Sequence, residues 1–162
     1  MKKRPKILVV GSLMMNQGIE TSVIPEEGQT VMGEDIKKSP GGKGANQAVQ
    51  MARLGADVTL IGKIGRDRDG EELVKVCKEA GVNTEQIIYD DVLPTGSSIV
   101  LLETVPGQKV KKRSIVIPGA TTQLTVDEIA YLEDVISLCF RMRYRWKSMK
   151  QLRAMHINMK LM

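Results

Sequence analysis

Apolar residues follow two rhythms along this chain. Ile7-Leu8-Val9-Val10 and Val58-Thr59-Leu60-Ile61 are short, almost unbroken runs, which predict buried strands over residues 6–12 and 57–62. Elsewhere the spacing becomes helical. Residues 43–54 are Ala-rich and stop at Gly55, a residue suited to the C′ position. Residues 69–80 put Leu73, Val74, Val76, Cys77 and Ala80 on one stripe that Gly81 ends. A third helix is expected over Thr125–Ser137, with Thr125 as N-cap and Glu128 completing a capping box.

Ile87-Ile88-Tyr89 begins a further strand, and residues 97–104 and 111–117 read as a hairpin about Pro106-Gly107, an order that suits a type II turn. Residues 21–35, broken by Pro25, Gly28 and Gly33, read as an excursion of two small strands. Strands alternating with helices predict an α/β fold with a parallel sheet, and the additional strands predict a small β lid.

The candidate chemistry centres on Pro40-Gly41-Gly42-Lys43-Gly44-Ala45-Asn46, placed just before the first helix. Glycines let the backbone approach a neighbour closely and take φ > 0. A glycine turn feeding a helix N-terminus is expected to present free N–H groups and partial positive charge to an anion or a polyhydroxyl ligand. Lys43 and Asn46 add side-chain donors at its mouth. The run is not a Walker A loop, because Lys37 stands where that motif needs its first Gly, and Gly44 where Ser or Thr must follow the Lys. A tight turn without a ligand remains the alternative on this pattern alone.

Its company changes the picture. Gly11-Ser12 closes the first strand, Gly62-Lys63-Ile64-Gly65-Arg66-Asp67 follows the next, and Gly70, Pro94-Thr95-Gly96 and Pro118-Gly119-Ala120 come after. With the intact Gly-Gly-Lys-Gly-Ala-Asn-Gln run, this order resembles the ribokinase-like (PfkB) family of carbohydrate kinases over residues 6 to 138. The resemblance implies the N-terminal part of a doubly wound ribokinase-like sheet, with lid segments at about 13–38 and 95–117. It also implies phosphoryl transfer from ATP, with Mg2+, to a primary sugar hydroxyl, ribose to ribose 5-phosphate being the nearest match. Carried over position by position, the sugar-binding residues are Met14, Asn16, Gly41, Gly42, Lys43, Asn46, Ser98 and Val100.

Two departures stand out. The family usually has Asn and Asp where this chain has Met14 and Asn16. Asn16 can still donate and accept, whereas Met14 cannot replace an amide. A hydroxyl-binding site that loses one partner suffers by about 1–3 kcal/mol, so ribose binding is expected to weaken or the preference to change. Simple core packing is the plainer account of Met14-Met15. The second departure lies beyond Cys139, where the expected Leu-Glu strand does not follow. Nor does an Asp-Thr-x-Ala-Gly-Ala-Gly-Asp-like run, which in the family carries the catalytic Asp and the oxyanion glycines, or an Asn-x-x-Glu motif for magnesium and nucleotide. The chain alone is therefore expected to lack kinase activity.

Charge isolates that terminal segment. Of the 24 Lys and Arg, seven fall in residues 140–162, which hold no carboxylate, so residues 1–139 carry 17 basic against 19 acidic groups. The net charge of +5 thus comes from the tail, and it does not by itself argue for nucleic acid. A coding sequence for Trp146-Lys147-Ser148-Met149-Lys150 can be written so that a one-base shift yields Leu-Glu-Ile-His-Glu, and a frameshift is the favoured reading of 140–162. A genuine basic tail, with Phe140, Tyr144 and Trp146 among arginines, is the rival. His156, the lone histidine, lies there and receives no role.

Cys77 and Cys139 have no metal-ligand spacing, no signal peptide or membrane span is evident, and a reduced cytoplasmic protein is expected. Half a doubly wound sheet should be marginally stable. The classes kept open are a sugar-kinase fragment, a catalytically dead sugar-binding module, and a protein that binds nucleic acid or a partner through its tail. The expected partner is a small sugar, with the lid as a surface for a homodimer.

Overall fold

The computed structural model describes residues 4–125, 127–129 and 137–141. Strands β1 (Lys6–Gly11), β4 (Asp57–Gly65), β5 (Ile87–Asp90) and β8 (Ser137–Arg141) form a parallel sheet in the order β5-β4-β1-β8. Strands β2 (Met14–Thr21), β3 (Ile36–Gly41), β6 (Gly96–Glu103) and β7 (Lys111–Ile117) form a second sheet, β3-β2-β6-β7, which is the lid. Helices α1 (Lys43–Arg53) and α2 (Arg68–Glu79) complete the fold.

The unbroken apolar runs have a physical cause. Val9, Val58, Leu60 and Ile64 pack with Ala45, Ala48, Leu73 and Cys77, while Leu8, Val10 and Ile61 pack with Leu124 and Ile129. The parallel sheet is thus buried on both faces, so neither face of its strands can be polar. Gly55 and Gly81, at φ 92° and 84°, end the two helices at C′ as expected. The hairpin turn also takes the expected form: Gly107 has φ 77°, and Gln108 N–H donates to the Val105 carbonyl at 3.0 Å.

Three expectations need correction. The excursion over 21–35 holds no strand; the strands flank it as β2 and β3, with a turn and loop between. Met14–Thr21 contains Gly18 and two amides, poor strand formers, and it is held by pairing to β6, about eighty positions on in the chain. Pro40 is tolerated because β3 is an edge strand. The third helix is also different. Thr125 N–H and Oγ1 both donate to Glu128 Oε2, at 2.7 and 3.0 Å, around a 3-10 turn at Asp127–Ile129. Ser137, expected as the helix end, opens β8, where Ser137-Leu138-Cys139-Phe140 runs parallel to Ile7–Val10. Residues 130–136 lie outside the described residues.

The third correction concerns a boundary. Phe140 and Arg141, expected to begin the tail, lie within β8 opposite Val10 and Gly11. The tail from 142 onward, with Tyr144, Trp146 and His156, falls outside the described residues.

Candidate functional site

The site forms where β1 hands over to the lid. After Gly11 the chain turns through Ser12 and Leu13 into β2, and α1 seats its first turn on that bend. Gly42, the helix N-cap, has φ 96° and ψ 140°, and a Cβ there would overlap the Ser12 carbonyl oxygen. A Cβ on Gly44 would come within 2.6 Å of Gly11 Cα. Both glycines are required for this close approach.

The same approach changes the expected anion-binding role. Lys43 N–H donates to Ser12 Oγ at 3.1 Å, Ala45 N–H to the Ser12 carbonyl at 3.1 Å, and Asn46 N–H to the Gly42 carbonyl at 2.9 Å. The helix N-terminus is therefore largely satisfied from within, and the exposed side chains of Lys43 and Asn46 face the ligand space instead. Ser12, 6% exposed, was missed by sequence reasoning, although its place after Gly11 at a strand end was a usable signal.

Between this turn and the concave face of the lid runs a groove of about 640 Å³. Met14, Asn16, Gly42, Lys43, Asn46, Ser98 and Val100, all named from the sequence, are among the residues that line it. Gly41 does not. It is buried at the end of β3 opposite Met14, where a Cβ would overlap the Asn16 amide nitrogen, so its part is to admit that amide. Asn16 Oδ1 accepts a hydrogen bond from Ser98 Oγ at 2.7 Å, and Ser98 is 8% exposed. This bond fixes the amide, with its oxygen toward β6 and its nitrogen beside Gly41. Met15 packs in the core as the plainer account had it, whereas Met14 is half-buried and faces the groove.

The outer groove was not foreseen. Gly18, Glu20, Lys37, Ser39, Lys112 and Ser114 also line it. Their positions alternate along strands, but that period shows only once β2 and β3 are placed. Lys37 Nζ lies 3.0 Å from Glu20 Oε1, and this hydrogen bond and charge raise the Lys37 pKa above its ordinary value.

A knot of polar contacts joins lid to core. Asp67 Oδ1 caps α2 by accepting from Gly70 N–H at 2.8 Å, and Oδ2 accepts from Thr95 N–H at 2.8 Å, just before β6. Burial pushes the Asp67 pKa up, yet the bonds from Thr95 and Gly70 and the nearby Lys38 outweigh it and hold the group below the ordinary carboxylate value. Lys38 on β3 reaches Asp69 on α2 at 3.0 Å.

Residues 4–138 match the pfkB family of carbohydrate kinases. The chain belongs to that family. It is 36% identical over 132 residues to the ribokinase of Lactococcus lactis, covering 81% of this chain and 42% of that protein. To the ribokinase of Bacillus subtilis it is 36% identical over 119 residues, 74% and 39% of the two chains. The chain thus spans about two-fifths of the length of these relatives. Among solved structures it resembles Arabidopsis thaliana ribokinase complexed with ribose and ATP, with TM-score 0.72, 26% identity and coverage of 85% and 45%. It also resembles Giardia lamblia ribokinase at TM-score 0.79 and 21% identity, over 98% of this chain and 50% of that one, a likeness of fold alone. The architecture is part of the ribokinase-like α/β fold.

Among the described residues no group of three His, Cys, Asp or Glu side chains is placed to hold a metal ion. The carboxylate lining the groove, Glu20, is engaged by Lys37. No helix among the described residues is long and apolar enough to cross a membrane.

Proposed function

We propose that these residues form the sugar-binding part of an ATP-dependent carbohydrate kinase of the cytoplasm, with ribose as the reference substrate. The observation that carries this reading is the Asn16 amide, held by Ser98 beside Lys43 and Asn46 at the glycine-capped start of α1. Oriented amide, ammonium and hydroxyl groups in a groove beneath a lid suit a polyhydroxyl ligand. The relatives named above as ribokinases, and one ribokinase structure with ribose and ATP, support the same reading.

Phosphoryl transfer is mostly positioning and charge stabilisation. The described residues supply positioning for the sugar. The base, the oxyanion donors and the groups for ATP and Mg2+ would have to come from elsewhere, so we expect this polypeptide alone not to turn over ATP and ribose. Met14 offers no hydrogen bond and Asn16 no charge, which argues for a sugar preference shifted from ribose. The exposed Ile115 and Ile117 on the edge strand β7 support pairing of two lids in a homodimer.

A calorimetric titration with D-ribose, run beside a coupled ATP–ribose assay, tests the reading. Saturable ribose binding without turnover is the expected result. Turnover above background would refute the incomplete-site part of the reading. Absence of binding to any sugar, with salt-dependent nucleic-acid binding in its place, would favour the basic tail as the functional element.

A further inference from the structure

Met14 and Met15 are neighbours on β2 with different surroundings. Met15 is fully buried in the core cluster, whereas Met14 is half-buried and lines the groove. In register, Met14 lies between Gly41 on β3 and Gly96 on β6. Neither neighbour brings a side chain to pack on it, and a Cβ on Gly96 would crowd Met14 Cγ at 3.3 Å. Core packing therefore does not account for Met14, and its thioether is left to meet a ligand.

The polar side chains beside it are already engaged. Ser12 Oγ accepts from Lys43 N–H at 3.1 Å, and Asn16 Oδ1 accepts from the Ser98 hydroxyl at 2.7 Å. Asn16 stands two positions along the same face, about 7 Å from Met14, with its amide nitrogen as the remaining donor. Lys43 and Asn46 add donors from α1.

The lid side of the same space is apolar. Val116 lies opposite Ser98 on β7, and Val100 stands two positions further along β6; both are half-buried and line the groove. The inner groove thus has one side that binds hydroxyls, from Asn16, Lys43 and Asn46, and another, of Met14, Val100 and Val116, whose side chains offer no donor.

We propose that Met14 selects a deoxy sugar, one whose carbon facing Met14 carries hydrogen in place of hydroxyl. This rests on the reading of the groove as a sugar site and names the class of sugar. A sugar that brings a hydroxyl to the Asn16 amide turns a neighbouring carbon toward Met14. A hydroxyl on that carbon would exchange water for a thioether, which is a weak acceptor. A methylene or methyl group there forfeits no hydrogen bond and gains contact with the polarizable side chain.

Calorimetric titration of the 162-residue chain with two pairs of sugars separates the outcomes. The pair 2-deoxy-D-ribose and D-ribose reads a bare ring carbon, and the pair L-fucose and L-galactose a bare terminal carbon. One deoxy sugar should bind at least about tenfold more tightly than its parent, with a ratio that added salt leaves unchanged because both members are neutral. Met14→Asn, which supplies an amide, should bring that ratio to about one or below, whereas the apolar Met14→Leu should keep it. Parents that bind as tightly as their deoxy forms overturn the inference and leave the sugar site standing. An unchanged ratio in Met14→Asn overturns the role of Met14. No binding of any of the four sugars overturns both the inference and the reading it rests on.

Discussion

The side-chain oxygen of Asn16 accepts a 2.7 Å hydrogen bond from the hydroxyl of Ser98, 82 residues further along the chain. The bond crosses from β2 to β6, so the orientation of the amide depends on lid strands that meet only in the folded protein. Ser98→Ala frees that amide. Sugar affinity should drop by about 1 kcal/mol, read by calorimetry, while Asn16→Ala should cost more because the donor itself is gone.

Ser12 holds the start of α1 through its hydroxyl on the Lys43 N–H and its carbonyl on the Ala45 N–H. Ser12→Ala removes only the first of these, and the Lys43 amide should exchange hydrogen roughly five- to tenfold faster, as loss of about 1 kcal/mol of capping implies. Gly42→Ala combines a left-handed φ with overlap on Ser12, so the amides of the whole first turn should lose protection.

Asp67 ties the start of α2 to the entry of β6. Its folded pKa is depressed, so its stabilising contribution is fully present above the ordinary carboxylate value near 4 and is lost as the pH falls through the lower folded value. Thermal midpoints measured from neutral pH down to about 2 should fall in that acid range. The Asp67→Asn variant should show a flatter profile and a lower midpoint at neutral pH.

Much of this was legible in the sequence, for reasons particular to each element. β1 and β4 were legible because burial on both faces leaves an unbroken apolar run, α1 because an Ala-rich run ends at Gly55, and α2 because an apolar stripe ends at Gly81. β2 and β3 were not. Met14, Asn16, Gly18 and Glu20 share the groove face, yet that face mixes apolar, amide and charged groups and shows no simple alternation. Pro40-Gly41 reads as a turn until its edge-strand pairing to Met14 and Met15 is known. Ser137–Phe140 is apolar enough for a helix end or a strand, and only its pairing with β1 decides.

Cys77, on the buried face of α2, is 2% exposed, and burial pushes its thiol up to about 11. The folded chain should resist alkylation at Cys77 by iodoacetamide at neutral pH, with rapid labelling only in denaturant, as read by peptide mapping. Fast labelling without denaturant would mean that the helices do not close over the sheet.

The most direct test of the central claim is hydrogen–deuterium exchange of the chain with and without a saturating sugar found to bind. New protection concentrated at Ser12–Asn16, Lys43–Asn46 and Gly96–Val100 is the predicted result, since the groove draws on these three segments at once. Binding with no change in those segments, or with protection only outside the groove, would contradict the assignment of this groove as the sugar site.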